Sequence, residues 1–191
     1  MPPEHQRYAS DRTKSSTFPH LGQSVAFCNT SLEERCSMNN RLLTVELVPK
    51  TCWFSNVRDH VPKKTWDMLR RHTYQKANHR CEICGGRGSR WPVECHEIWH
   101  YDDENKVQKL MGLIALCPAC HEVKHIGLAG LRGREQEAKE HLAQVNGWTE
   151  EQTEDYLEQV WKIWRERSQH EWKLDLSWLE QKFGIQVEEK R

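Results

Sequence analysis

Residues suited to burial recur with helical spacing between positions 62 and 78. The stripe repeats at intervals of three and four residues and comprises Trp66, Leu69, Thr73 and Ala77. Such a stripe is the face that an α-helix buries against a core. Proline suits the first turn of a helix because its fixed φ matches helical geometry. The pattern therefore predicts a helix from Pro62 or Lys63 to about Asn78.

Two shorter runs, separated by a polar turn, predict a β-hairpin further along the chain. Residues 93–99 are rich in Val, Ile and Trp, and residues 107–116 contain a second apolar run. The turn between them, residues 102–105, is Asp-Asp-Glu-Asn. Pro118 can occupy the first turn of a short helix that carries two histidines. The predicted order is therefore strand, strand, helix.

The two ends of the chain have different patterns. The first 40 residues are rich in Ser, Thr, Asn and charge and show no periodicity, which is typical of a disordered tail. Towards the C-terminus, Thr149 and Gln152 form a capping-box pattern, Ser177 and Glu180 form a second capping signal, and Gly184 is a predicted helix stop. We therefore expect an α+β protein with three parts: a disordered tail (1–40), a small ββα core with a preceding helix (41–130) and a helical C-terminal extension (131–191).

Composition limits the class of protein. Charged residues make up 29% of the 191 residues, no apolar run is long enough to span a membrane, and the N-terminus has no apolar signal-peptide core. We therefore expect a cytoplasmic protein without a membrane partner. In that reducing compartment, eight cysteines indicate metal binding rather than a disulfide framework.

Four of the cysteines form two metal-binding pairs, Cys81-x-x-Cys84 and Cys117-x-x-Cys120. Two intervening residues allow both thiolates of a pair to reach one ion at about 2.3 Å, and two pairs complete the tetrahedron that Zn²⁺ prefers. Four thiolates leave no coordination position open, so we expect this zinc to be structural. It would join the loop before the first strand to the start of the short helix.

Three histidines are candidates for a second metal site. His121 and His125 are four residues apart on the predicted short helix and project from one face, whereas His96 lies on the preceding strand. A strand and a helix that meet at a shared zinc could bring the three imidazoles together, with one coordination position open. Alternatively, His121 packs near the zinc and His125 is a surface residue. The spacing alone leaves both interpretations open.

A basic segment leads into and overlaps the first cysteine pair. Between Arg58 and Arg90 there are nine Lys or Arg residues and three Asp or Glu residues, although the whole chain has a net charge of zero. Such a segment suits contact with phosphates on one face, and a solvated basic helix is the alternative. The candidate DNA-contacting residues are Lys63, Lys64, Arg70, Arg71, Lys76, Arg87 and Arg90.

The cysteine pairs and histidines together resemble the HNH endonucleases of the ββα-metal class. The segments CEICGG, ECHEIW and LIALCPACHEVKH carry this likeness, and the flanks CWFSNVRD and HLAQVNGW are similar to an uncharacterised subgroup of HNH-domain proteins. The resemblance implies metal-dependent hydrolysis of DNA phosphodiester bonds. It also implies a catalytic divalent ion, such as Mg²⁺, Mn²⁺, Ni²⁺ or Zn²⁺, held by His96, His121 and His125.

Two positions depart from the family pattern. The general base of the family falls on Glu97, and the asparagine that orients this base falls on Gly112. In a register shifted by one residue, His96 becomes the base and Cys95 the ligand. Glu97 can act as a base if burial raises its pKa, and His100 is a further candidate because it shares a face with His96 in a regular strand. The expected catalytic residues are His96, Glu97 and His100.

Two other functions compete with the nuclease. Residues 96–100 match the H-E-x-x-H pattern of zinc proteases, but that motif requires a helix and a strand is predicted here. A non-catalytic zinc module that binds nucleic acid or another partner would keep the four cysteines and the basic helix. Convergence of His96, His121 and His125 would favour the nuclease, and divergence of these side chains would favour the binding module.

Overall fold

A computed structural model of the protein describes residues 42–53 and 56–187. This part of the chain is mixed α+β, with seven α-helices and one three-stranded sheet. The predicted tail, residues 1–40, lies outside the described residues. The elements in chain order are α1 (Val57–His60), α2 (Lys63–Lys76), β1 (Glu94–Asp102), β2 (Val107–Leu116), α3 (Pro118–Lys124), α4 (Ile126–Leu131), α5 (Glu135–Asn146), α6 (Glu150–Arg167), β3 (Lys173–Asp175) and α7 (Ser177–Phe183).

The predicted hairpin is confirmed. Strands β1 and β2 pair antiparallel, from Glu94 opposite Leu116 to Asp102 opposite Val107, with a register shift between Ile98 and Trp99. The Asp102 carboxylate closes the turn because it accepts the backbone N–H groups of the second and third residues after it, at 3.1 and 2.9 Å. Strand β1 continues three residues past the predicted end, and α3 follows β2 as expected, with proline in its first turn.

The C-terminal extension is not wholly helical, contrary to the prediction. Strand β3 pairs parallel with β2, with Lys173 opposite Val107 and Asp175 opposite Lys109, and the strand order is β1-β2-β3. Helix α7 then packs its buried Leu179 against the sheet. The last part of the extension therefore completes the sheet that the hairpin begins.

Hydrophobic clusters cover both faces of the hairpin, because successive strand residues point to opposite sides. The cysteine-side cluster lies against α3, α4, α5 and α6 and includes Ile114, Leu116, Val123, Leu142 and Leu157. The α2-side cluster lies against α1, α2 and α7 and includes Trp66, Leu69, Leu110, Leu176 and Leu179. Ile98 packs against the first cluster, whereas Cys95 and Trp99 pack against the second.

The helix signals in the sequence are largely confirmed. Helix α2 follows Pro62 and buries three members of its predicted stripe, and Thr149 forms the capping box with Gln152 at the start of α6. Gly184 ends α7 in a left-handed conformation, with a φ of 65°. Helix α7 begins at Ser177, where the capping signal predicted a helix start, but Ser177 is its first residue and not its cap. No side-chain cap forms, and the Ser177 N–H donates to the Asp175 carboxylate at 2.8 Å.

Candidate metal centres

The four predicted cysteines lie together between the first turn of α3 and the loop before β1. Their sulfur atoms are all within 4.8 Å of one another, and the Sγ atoms of Cys84 and Cys117 are 3.6 Å apart. Cys81, Cys117 and Cys120 are buried, and Cys84 is exposed. Four converging thiols are the donor set of a tetrahedral structural zinc site. The predicted grouping is confirmed, and these residues could coordinate one zinc ion.

The backbone after Cys81 forms a tight turn that supports this grouping. The Gly85 N–H donates to the Cys81 carbonyl at 2.9 Å, and Gly85 has a φ of 72°, which a glycine adopts without strain. The Gly86 N–H lies 3.4 Å from the Cys84 sulfur. Amide donors of this kind orient metal ligands and stabilise their charge.

His141 is a neighbour of the cysteine group that sequence reasoning missed. Its Nε2 atom lies 3.2 Å from the Cys120 sulfur, and it belongs to α5, in the C-terminal extension. Nothing in the spacing of the cysteines points to a residue 21 positions further along the chain. The contact joins the extension directly to the candidate zinc site.

The three predicted histidines also converge. One ring nitrogen from each of His96, His121 and His125 lies within 4.8 Å of the others, and their ring centroids are 4.9 to 5.2 Å apart. Strand β1 supplies His96, α3 supplies His121, and His125 is the residue that follows α3. His96 is 5% exposed, and the other two histidines are half-buried. Three imidazoles form a donor set suited to a divalent transition metal.

Carboxylates and a lysine surround the histidine group. A Glu46 carboxylate oxygen lies 3.0 Å from His96 Nε2, and the other Glu46 oxygen accepts from Lys124 Nζ at 2.6 Å. A Glu94 oxygen lies 2.5 Å from His121 Nδ1. A carboxylate on one ring nitrogen fixes the tautomer and leaves the other nitrogen for a metal. Sequence reasoning missed Glu46, Glu94 and Lys124. Glu94 could have been noticed, because it lies two positions before His96 on the same face of β1.

The surroundings of these groups set their charge states. Burial lowers the pKa of His96, and burial together with the neighbouring His96 and His121 lowers the pKa of His125 to about 3. Burial by itself would raise the pKa of Glu46, but the hydrogen bond with His96 and the charge of Lys124 lower this pKa to about 2. At neutral pH the two imidazoles are therefore neutral, with a free lone pair, and Glu46 is an anion.

Glu97 lies away from the histidine group. It follows His96 on a strand and so points to the opposite face of the hairpin, where its carboxylate accepts the Val57 N–H at 2.8 Å. Burial raises the pKa of Glu97 to about 7, which is the shift that a carboxylate base requires. The structure nevertheless does not bring this carboxylate to the candidate metal ligands.

Three other residues of the sequence analysis also lie outside the histidine group. Cys95 packs on the α2 side of the hairpin, and burial raises the pKa of its thiol to about 12. His100 is exposed, beyond the register shift in the hairpin. Gly112 pairs with Ile98, and a Cβ there would meet Ile98 and Trp178 at ordinary contact distance.

Residues 96–100 form a strand, so the zinc-protease motif lacks the helix that it requires.

The predicted DNA-contacting residues of α2 lie away from the histidines. Helix α2 packs on the other face of the hairpin, in the α2-side cluster, and exposes Lys63, Lys64, Arg71 and Lys76. Arg70 is paired with Asp67 at 2.7 Å. Arg87 donates to the Asn78 carbonyl at 2.9 Å, and Arg90 lies over the ring of Trp91. The basic helix and the histidine group therefore occupy opposite faces of the hairpin.

Comparisons with protein-family models, curated proteins and solved structures found no significant match. Among the described residues, no helix is long and apolar enough to cross a membrane.

Proposed function

We propose that this protein is a metal-dependent endonuclease of the HNH type, which hydrolyses DNA phosphodiester bonds. The single observation that carries the proposal is the convergence of His96, His121 and His125 beside the four-cysteine group. Sequence reasoning left open whether these side chains meet or diverge, and a purely structural zinc module has no need of a second cluster of imidazoles. The ββα-metal arrangement belongs to the same proposal: β1, β2 and α3 would form the core around a structural zinc.

The geometry also supports roles for particular residues. A divalent ion held by the three histidines would stabilise negative charge on the scissile phosphate and on the leaving oxygen. The side chain of His96 is the most enclosed of the three, whereas the side chains of His121 and Glu94 are 24% and 39% exposed. We therefore assign the substrate entrance to the side of His121 and Glu94.

The proton acceptor requires a group on the same face as the metal ligands. Glu97 points to the other face, whereas Glu94 lies beside His121 at the proposed entrance. A general base must lie within hydrogen-bond reach of the attacking water. We therefore propose Glu94, rather than Glu97 or His100, as the group that accepts the proton of this water, through the carboxylate oxygen that does not contact His121.

A non-catalytic zinc module that binds nucleic acid or another partner is the second candidate. Two observations favour it: the basic surface of α2 lies on the face away from the histidines, and the positions of the family's base and asparagine hold Glu97 and Gly112. In this alternative, the four cysteines would stabilise the fold and α2 would contact phosphates without cleavage.

The deciding experiment combines metal analysis with a nuclease assay. Purified protein is incubated with plasmid DNA and Mg²⁺, Mn²⁺, Ni²⁺ or Zn²⁺, beside His96→Ala and the control His170→Ala, which replaces an exposed histidine on the loop after α6. We expect cleavage by the wild type and the control and none by His96→Ala. DNA binding without cleavage in all four metals would favour the binding module, and activity that survives His96→Ala would overturn the proposed site.

A further inference from the structure

Residues 42–50 form a segment, here called the strap, that the rest of the fold holds in place. Apart from the first residue of a 3₁₀ turn at Lys50, the strap has no helix or strand. Its backbone is bound by side chains of α5 and α6: the Leu43 N–H donates to Asn146 Oδ1 at 2.8 Å, and the Val45 N–H donates to the Tyr156 hydroxyl oxygen at 2.9 Å. Trp164 also donates, to the Val48 carbonyl at 2.9 Å.

The strap carries Glu46 to the histidine group. The Glu46 N–H donates to the Lys124 carbonyl at 3.0 Å, which fixes the backbone of the strap against the end of α3. One Glu46 oxygen meets His96 Nε2, and the other accepts from Lys124, which also donates to Thr44 Oγ1 at 2.8 Å. The Lys124 side chain is 6% exposed, so its charge depends on this carboxylate for compensation.

We propose that Glu46, held by Lys124 and by the strap, is a positioning residue of the histidine metal centre. The carboxylate accepts the N–H of His96 Nε2, so the Nδ1 lone pair is the one that remains for the metal. A salt bridge that served stability alone would need only Lys124, whereas Glu46 divides its two oxygens between Lys124 and a candidate metal ligand. The inference rests on the proposed metal centre, which it deepens.

The same geometry assigns a role to the C-terminal extension. Asn146 and Tyr156 belong to α5 and α6, and neither contacts a histidine of the candidate centre through a described hydrogen bond. Their side chains instead hold the strap at the residues around Glu46. In this proposal, the extension positions Glu46 at the histidine metal centre through the strap.

Metal binding tests this role without reference to nuclease activity. The protein, with zinc in the four-cysteine site, is titrated with Co²⁺, and binding at the histidines is followed by calorimetry and by visible absorption. We expect Glu46→Gln to weaken Co²⁺ binding about 10- to 100-fold, the range usual for a lost partner of a metal-bound histidine. Tyr156→Phe should weaken it less, and the matched control Glu154→Gln, which removes a surface carboxylate paired with Lys139, should not weaken it.

Glu46→Gln leaves Lys124 buried without its counter-ion, which can itself unfold the protein. The double variant Glu46→Leu with Lys124→Met removes both charges and also the acceptor for His96, which a Gln amide oxygen could replace. It tests the role in a folded chain, with the same loss of Co²⁺ affinity expected. Affinity within twofold of the wild type in the double variant would overturn the inference. A change in the cobalt absorption that shows the loss of a coordinated atom would overturn it too, since Glu46 would then be a ligand. A wild type that binds no second ion would instead refute the proposed metal centre.

Discussion

Cys120 and His121 are consecutive residues of α3, yet their side chains belong to two different groups of candidate metal ligands. Cys120 is fully buried among the four cysteines, and His121 points toward His96 on β1. The position of this helix relative to the hairpin therefore determines both groups at once. A zinc ion at the cysteines would set the geometry in which the histidines converge.

Loss of the cysteine site should therefore also weaken the histidine site. We expect Cys117→Ser to lower the zinc content and to destabilise the fold by several kcal/mol, because a structural zinc contributes its binding energy to folding. We also expect Co²⁺ affinity at the histidines to fall at least about tenfold, by analogy with lost supporting contacts around metal ligands. Zinc analysis, thermal unfolding and Co²⁺ titration measure the three effects.

Cys52→Ala is the matched control for this experiment, since Cys52 is a buried cysteine outside the ligand group. It should keep its zinc and its Co²⁺ affinity. If Cys117→Ser loses zinc but binds Co²⁺ at the histidines as tightly as the wild type, the two centres are independent and the coupling through α3 is wrong.

The two glutamates of β1 should differ in their effect on catalysis. We expect Glu94→Gln to lower the rate of DNA cleavage about 10²- to 10⁴-fold, the usual contribution of a general base. Glu97→Gln should leave the rate nearly unchanged, because its carboxylate contacts the Val57 N–H on the other face and an amide oxygen can accept the same bond. Single-turnover cleavage at saturating metal measures both rates.

The opposite pattern would refute this assignment. If Glu97→Gln abolishes cleavage at unchanged metal content and unfolding temperature, Glu97 is the base, and the hairpin must rearrange when DNA binds. Glu94→Gln also removes a charge next to His121, so its Co²⁺ affinity is measured in parallel to separate a loss of metal from a loss of chemistry.

Local signals in the sequence were sufficient for much of the fold. Helix α2 and the hairpin follow from periodicity and turn residues, which act within a few positions of the chain. Strand β3 could not be predicted in the same way. It has only three residues, Lys173–Asp175, too few for their polar-apolar alternation to be distinctive, and its partner β2 lies far earlier in the sequence. Only tertiary packing specifies such a strand.

The candidate site was predictable to a similar degree. The spacing of Cys120, His121 and His125 placed two histidines beside the cysteine group before their geometry was known. Glu46 gave no such signal, because it reaches His96 across 50 residues from a segment without regular structure. The orientation of Glu97 could have been deduced, since neighbours on a strand face opposite sides and His96 was already assigned to the metal.

In the binding-module alternative, the exposed basic residues of α2 contact phosphates and should therefore contribute salt-dependent DNA affinity. The slope of log K against log salt concentration is negative, and each phosphate contact that is lost reduces its magnitude by about one. We expect the triple variant Lys63→Gln, Lys64→Gln, Arg71→Gln to reduce the magnitude of the slope by up to about three. Arg70→Gln should have a smaller effect because Arg70 is already paired with Asp67. Fluorescence anisotropy of labelled duplex DNA at several salt concentrations gives the slopes.

A control with the same change in charge separates this surface from net charge. Exposed residues of the helices on the opposite face of the hairpin are Lys162 and Arg165 of α6 and Arg132 at the end of α4, and their replacement by Gln removes the same three charges. The slope of this control should stay within experimental error of the wild type. Equal slopes for all three proteins would remove α2 from the DNA-binding surface.

The C-terminal segment should unfold together with the hairpin, because β3 and α7 complete the same sheet and the same α2-side cluster. Leu179 of α7 is fully buried in that cluster, and Leu→Ala at such a site costs about 2 to 5 kcal/mol of unfolding free energy. Leu131 at the end of α4 is 78% exposed, so Leu131→Ala should change the free energy by less than about 0.5 kcal/mol. Urea denaturation, followed by both far-UV circular dichroism and tryptophan fluorescence, compares the two variants.

If α7 were a separate appendage, Leu179→Ala would affect stability no more than Leu131→Ala does. A large loss with coincident transitions is expected instead, since removing Leu179 leaves a cavity in the cluster that also contains Leu69 of α2 and Leu110 of β2.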